Sequence, residues 1–345
     1  MNLPLRVILA PLALAAAALI VDEVVSFAPP PASRCNKQCQ YQSSCRALTS
    51  LRAASDAAKE GFVEVDRKRD GSMHRLAYRV VRPMSLSSRQ AAPIVALHGG
   101  PSVPSSYLYP LADVVPYRSI VFYDQLGCGK SDEPGDASLY SIEDSVSDLR
   151  ALLRKLGVRR FHLYGQSYGG ILAFEYMKSL ATNGDDSDGE VECLSAALSS
   201  APTNIAELEK EFVRLLEKLP PPGEEDVSDV ELDELFRKNH QCRMPEMPKI
   251  LKDAYDGAGT VWGGTDAIAG YVARPPPKGA ARMPSALIMR GEHDFVSKAS
   301  IKGWENAFNT PFLRYKTLEG CSHHGMLENG ALYGDIIDSY FSEYD

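Results

Sequence analysis

The stretch LYGQSYGG at positions 163–170 sets an apolar strand directly against a GxSxG turn that opens into a helical pattern over 169–180. A strand, a sharp turn and a helix in that order form a nucleophile elbow, which makes Ser167 the candidate nucleophile. Side chains at positions 165 and 169 would collide with neighbouring backbone at such a turn, so glycine at both has a steric reason. GxSxG also occurs in ordinary tight turns, and the weight therefore falls on the segments that accompany it.

Three segments do so. PIVALHGGPS (93–102) is a buried strand that breaks into a glycine loop, and a loop of that kind can aim a bare backbone N–H at a developing oxyanion. The second donor would be the N–H of the residue after the nucleophile, Tyr168. SALIMRGEHD (285–294) is another buried strand, ending in a turn that carries the acid Asp294, and LEGCSHHG (318–325) places His323 and His324 in a loop before a last amphipathic helix. The chain order is Ser, Asp, His, which is the α/β-hydrolase order. Plainer readings stand beside these: Asp294 can cap its own turn, Glu292 and His293 can be surface residues, and His98 can brace its loop by hydrogen bonds. Adjacent side chains in an extended loop face opposite ways, so either His323 or His324, and not both, points at Ser167.

With these residues in place the chain resembles the proline iminopeptidases, or prolyl aminopeptidases, and most of all the branch that contains the tricorn-associated aminopeptidase. The resemblance rests on HGGP (98–101), FYDQLGCGKSDEP (122–134), GQSYGG (165–170), GEHD (291–294) and CSH (321–323). It covers positions 90 to the C-terminus, strongly outside 204–280. It implies a triad of Ser167, Asp294 and His323, with the N–H groups of Gly100 and Tyr168 as the oxyanion hole. In that family the substrate's α-ammonium is held by one acid in the cap and one directly after the triad acid. Here Phe295 follows Asp294, while WGGTD (262–266) places Asp266 where the family usually has Glu, so one carboxylate of two survives.

Apolar runs predict strands over 62–67, 75–82, 94–97, 119–123, 161–164, 194–199, 286–289 and 313–317, the first two joined as a hairpin at Asp70 and Gly71. Helical patterns over 142–156 and 297–308 separate later strands. That alternation argues an α/β fold, the α/β-hydrolase fold, with a mostly parallel sheet flanked by helices. Between 204 and 282 the pattern changes to charged helices, over 205–219 and 230–239, punctuated by PPPG (220–223) and PPP (275–277). We read it as a helical cap inserted into a core made of 56–203 and 283–345.

The N-terminus reads separately. Arg6 precedes an apolar run over 7–21, too short for a comfortable membrane span, and Val24 to Ser26 suit cleavage before Phe27, so 1–26 reads as a signal peptide. Positions 27–55 contain no Asp or Glu and read as a transit-like leader. The combination resembles the bipartite plastid-targeting leader of algae with secondary plastids. Plain secretion and an N-terminal anchor are the alternatives, and no stable membrane span is expected in the mature protein.

Positions 1–55 hold five basic and two acidic residues, which leaves the rest at −11 out of a formal −8 for the whole chain. An acidic body argues against nucleic acid and anionic membrane as partners. The cysteines outside the leader show no CxxC spacing and no dinucleotide fingerprint is present, so neither metal nor cofactor is expected. The sequence thus predicts a cofactor-free serine hydrolase that releases N-terminal proline or another small residue from a peptide or small amide. An amidase or esterase with the same triad, and a non-catalytic relative acting as a binding protein, are the competing readings.

Overall fold

A computed structural model describes residues 58–83, 91–183, 191–219 and 228–345. Its strands are β1 (Ala58–Arg67), β2 (Ser72–Val81), β3 (Ile94–Leu97), β4 (Ile120–Tyr123), β5 (Arg160–Gln166), β6 (Glu192–Ser199), β7 (Ser285–Gly291) and β8 (Leu313–Leu318). They lie in one sheet in the order β1-β2-β4-β3-β5-β6-β7-β8. β1 pairs antiparallel with β2 and β2 with β4, and the remaining neighbours are parallel. All eight expected strands are present, and the first hairpin turns at Gly71, whose φ of 74° suits glycine.

The longer helices are α1 (Ile142–Leu156), α2 (Tyr168–Asn183), α3 (Ile205–Leu216), α4 (Asp229–Phe236), α5 (Lys249–Asp256) and α6 (Gly330–Ser342). Side chains alternate across β3, so Val95 and Leu97 join a core with Leu149 and Leu152 of α1 and Ile171 and Phe174 of α2. Ile94 and Ala96 face the opposite core, shared with Ile337 and Phe341 of α6. A strand buried on both faces reads as an unbroken apolar run, which is why IVAL was visible in the sequence. α1 starts where the Ser141 side chain accepts from Asp144 N and stops at Gly157 in the left-handed conformation. A buried pair ties β1 to α1: Arg67 donates to both carboxylate oxygens of Asp148 at 2.7 and 2.8 Å.

Two expected helices are interrupted. The pattern over 297–308 forms two short segments, Lys298–Lys302 and Trp304–Ala307. Gly303 between them lies so close to Thr203 that a Cβ would stand 2.5 Å from its Oγ1. The pattern over 230–239 forms α4 and then a π-helical turn, Arg237–Gln241. Both α3 and α4 lie between β6 and β7. The leader expected at 1–55 lies outside the described residues, among which no helix is long and apolar enough to cross a membrane.

Candidate active site

The parallel register of β3 and β5, with Leu97 opposite Gly165, brings the ends of both strands together. The elbow follows β5. Ser167 sits at φ 55°, a strained region for a side chain, and is held there by Ser167 N donating to Ser199 O at 2.8 Å. A Cβ on Gly165 would lie 2.2 Å from Gly169 O, and one on Gly169 would lie 2.0 Å from Leu97 O. α2 begins at Tyr168, so its N–H belongs to the unpaired first turn at the positive end of the helix dipole.

The glycine loop after β3 closes onto this turn. A Cβ on Gly99 would come 3.0 Å from Ser167 Cβ, and Gly100 adopts φ 120°. Tyr107, which no sequence motif marks, pins the loop: Gly99 N donates to its hydroxyl at 2.8 Å, and that hydroxyl donates to Gln166 Oε1 at 2.6 Å. His98 is fully buried and accepts from Gln125 N at 2.9 Å through Nε2.

Asp294 and His323 come from the loops after β7 and β8. His323 Nδ1 donates to Asp294 Oδ1 at 2.9 Å, with both residues no more than 5% exposed. Because a carboxylate accepts there, the proton sits on Nδ1 and Nε2 is left as a base. Asp294 Oδ1 also accepts from Val296 N at 2.9 Å. His324 instead has its Nε2 at 2.7 Å from Tyr255 Oη, and burial holds its imidazole well below the ordinary histidine range. Of the two histidines, therefore, the acid meets His323.

Ser167, Tyr168, Gly100 and His323 all line one cavity of about 410 Å³, and residues between β6 and β7 form its wall. Asp266 lines it from an exposed position on a short 3₁₀ turn. Its segment is docked on the core: Trp262 stacks on Tyr140 at 5.9 Å and meets Tyr168 edge-on, and the Glu133 carboxylate accepts from Thr260 N and Val261 N. Phe295 stacks on the His323 ring at 4.1 Å and joins Phe212 and Phe236 in an aromatic cluster.

A second carboxylate, Glu209, also lines the cavity. Sequence reading missed it, although the signal was present. Ile205, Leu208 and Phe212 mark the apolar stripe of α3, and Glu209 falls on that stripe at four residues from Ile205.

Comparison with known proteins agrees with this fold. Residues 94–335 match the family model described as "Alpha/beta hydrolase family". A proline iminopeptidase of Saccharolobus solfataricus is 31% identical over 226 residues, 61% of this chain and 63% of that protein, so the aligned stretch spans less than two thirds of its length. A proline iminopeptidase of Lactobacillus helveticus is 28% identical over 311 residues, 80% of this chain and 98% of that protein. The crystal structure of a proline iminopeptidase from Mycobacterium smegmatis superposes with a TM-score of 0.67 at 21% identity, covering 83% of this chain and 98% of that one. The resemblance first carried by five motifs thus extends over most of the described residues. With its sheet order, its elbow after β5 and a family match over 94–335, the chain belongs to the alpha/beta hydrolase family.

Proposed function

We propose that this protein is a serine aminopeptidase that releases an N-terminal proline or another small residue through an acyl-enzyme. The observation that carries the reading is the bond from His323 Nδ1 to Asp294, with the strained Ser167 lining the same cavity as His323. In the mechanism, His323 Nε2 takes the Ser167 proton as Oγ attacks the carbonyl, and the N–H groups of Gly100 and Tyr168 receive the oxyanion. His323 then gives that proton to the leaving amine, and water, deprotonated by the same nitrogen, releases the acyl group. Asp294 orients the imidazole and stabilises its cation.

The free α-ammonium of a substrate enclosed in this cavity calls for a carboxylate, because burying an unpaired charge costs several kcal/mol. Asp266 and Glu209 supply two candidates, both on the wall. Phe295 favours the second reading, an amidase or esterase for uncharged substrates, since it presents a ring where the family resemblance implies an acid. Measuring kcat/KM for proline coumarin amide, its N-acetyl counterpart and a p-nitrophenyl ester decides between them. Preference for the free amine supports the aminopeptidase, and equal or better turnover of the blocked amide overturns it. Labelling by a fluorophosphonate that is lost in Ser167→Ala separates either enzyme from a non-catalytic binding protein.

The leader supports a further proposal, plastid delivery with residues before about position 55 removed from the mature protein, with secretion as the alternative. Mass spectrometry of the native protein checks it, and abundant intact Met1 peptide would sink it.

A further inference from the structure

We infer that His240 is a positioning residue for the proposed triad, stapling the loop that carries Asp294 to the loop that carries His323. The inference rests on the triad reading above. His240 Nδ1 donates to the carbonyl of His293, the residue before Asp294, at 2.9 Å. Its own carbonyl accepts from His323 N at 3.3 Å, and the next carbonyl, Gln241 O, accepts from His324 N at 3.1 Å. One residue of the segment between β6 and β7 therefore bonds the residue before Asp294 through its side chain and His323 through its backbone carbonyl. A carbonyl acceptor fixes its tautomer as Nδ1–H.

The turn that presents His240 is built to hold still. It is the π-helical Arg237–Gln241, closed by Cys242 N donating to Arg237 O at 2.8 Å, five residues apart. Single π turns break the 3.6-residue register and often aim side chains at functional sites. The buried Arg237 guanidinium locks this one, donating to both oxygens of Glu234 at 2.6 and 2.7 Å and to Cys242 O at 2.8 Å. Arg243 N donates to Glu328, whose carboxylate also receives Ser322 N and Oγ just before His323.

The charged and titratable groups around His240 are Arg243 from its own segment and His293 and Asp294 from the acid loop, and burial lowers its pKa, leaving a neutral donor at pH 7. From the far side, Arg290 holds the same loop through Glu292 O and Val296 O. His240 adds a bond to each loop beside the direct one, in which His293 N donates to Cys321 O at 2.9 Å. A displacement of about 1 Å in such a constellation can cost about a hundredfold in rate.

The test compares His240→Ala and His240→Asn, whose amide keeps an N–H near the Nδ1 position, on proline coumarin amide and a p-nitrophenyl ester. The alanine variant is expected to lose about tenfold to a hundredfold in kcat with KM within about threefold, and the asparagine variant to return within about threefold of wild type. A kcat unchanged in His240→Ala overturns the inference. So does a His240→Asn variant that melts like wild type yet has lost more than about tenfold in kcat. If the alanine variant does not fold, the asparagine variant alone decides by that criterion. A wild type with no Ser167-dependent labelling or turnover overturns the triad reading itself and this inference with it. A Ser167-dependent wild type beside an unaffected His240→Ala overturns this inference alone.

Discussion

The floor and the wall of the cavity are specified in different currencies. The floor, made by the ends of β3 and β5, consists of backbone laid on backbone, with Gly165, Gly169 and Gly99 in places where no Cβ fits. The wall, from α3 to the turn at Asp266, is mostly side chains carried on helices, docked by bonds such as Glu133 to Thr260 and by one close backbone approach, at Gly259, where a Cβ would stand 1.6 Å from Gly127 O. A floor of this kind admits few sequences and fixes where bonds are made and broken. A wall of side chains can vary one residue at a time, and it decides what is bound. The sharpest test is at the floor itself: Ser167→Ala is expected to lower kcat about a millionfold with an unchanged circular dichroism spectrum. A variant that keeps a tenth of wild-type activity would show that the floor holds no nucleophile.

Glycine substitutions set the two regions directly against each other. Gly169→Ala drives a methyl to 2.0 Å from Leu97 O, which is backbone and cannot swing away. It should cost about 3 kcal/mol or more, read as a lower urea midpoint or as loss of soluble protein. Gly270, in the wall segment, has open space where its Cβ would be. Gly270→Ala should stay within about 0.5 kcal/mol. Equal effects at the two positions would erase the distinction.

Acid should strike the buried histidines of the core. The nitrogen that a proton would occupy on His98 already accepts Gln125 N–H, and burial lowers the pKa of His98, His324 and His162, the last to about 4. A depressed folded value means that the unfolded chain, at about 6.5, binds more protons below that pH. Stability is therefore whole above pH 6.5 and declines as pH falls, for His162 down to about pH 4 and on the order of 3 kcal/mol at full effect. Thermal melting at pH 7 and pH 5 should show the drop, with a shallower slope in His162→Gln. A melting temperature equal at both pH values would remove the argument.

The same contrast explains what could be read from the sequence. The floor was legible, because elements buried on both faces and glycines forced by close approach leave apolar runs and fixed motifs: β3 has its expected bounds, and the GxSxG glycines stand where the steric argument put them. The acid–base pairing was legible only by family likeness, since residue types alone left His323 and His324 open and the bond to Asp294 is a tertiary fact. The wall was legible as helices and, by family likeness, at Asp266. A 3.6-residue period cannot announce the extra residue of the π turn at Arg237–Gln241, and so gave no sign of His240. Glu209 was visible in principle as a charge on an apolar stripe, whereas Phe295, seen only as a missing acid, packs on the imidazole of His323.

The smallest expected effect lies in the wall and bears on substrate choice. If Asp266 and Glu209 share the α-ammonium, removing either charge leaves the other to compensate, so Asp266→Asn or Glu209→Gln should raise KM for free proline coumarin amide about tenfold, the equivalent of about 1.4 kcal/mol, with kcat nearly constant. Residues that act on one charge do not add independently, and the double variant should therefore lose more than the two single losses multiplied. The N-acetyl substrate, which carries no ammonium, should respond to none of the three variants. Phe295→Glu should sharpen the preference for the free amine by adding a carboxylate, at the expense of the ring that now covers His323. Parallel changes in blocked and unblocked substrates would mean that these carboxylates shape the wall without reading the amine, and the amidase or esterase reading would take the aminopeptidase's place.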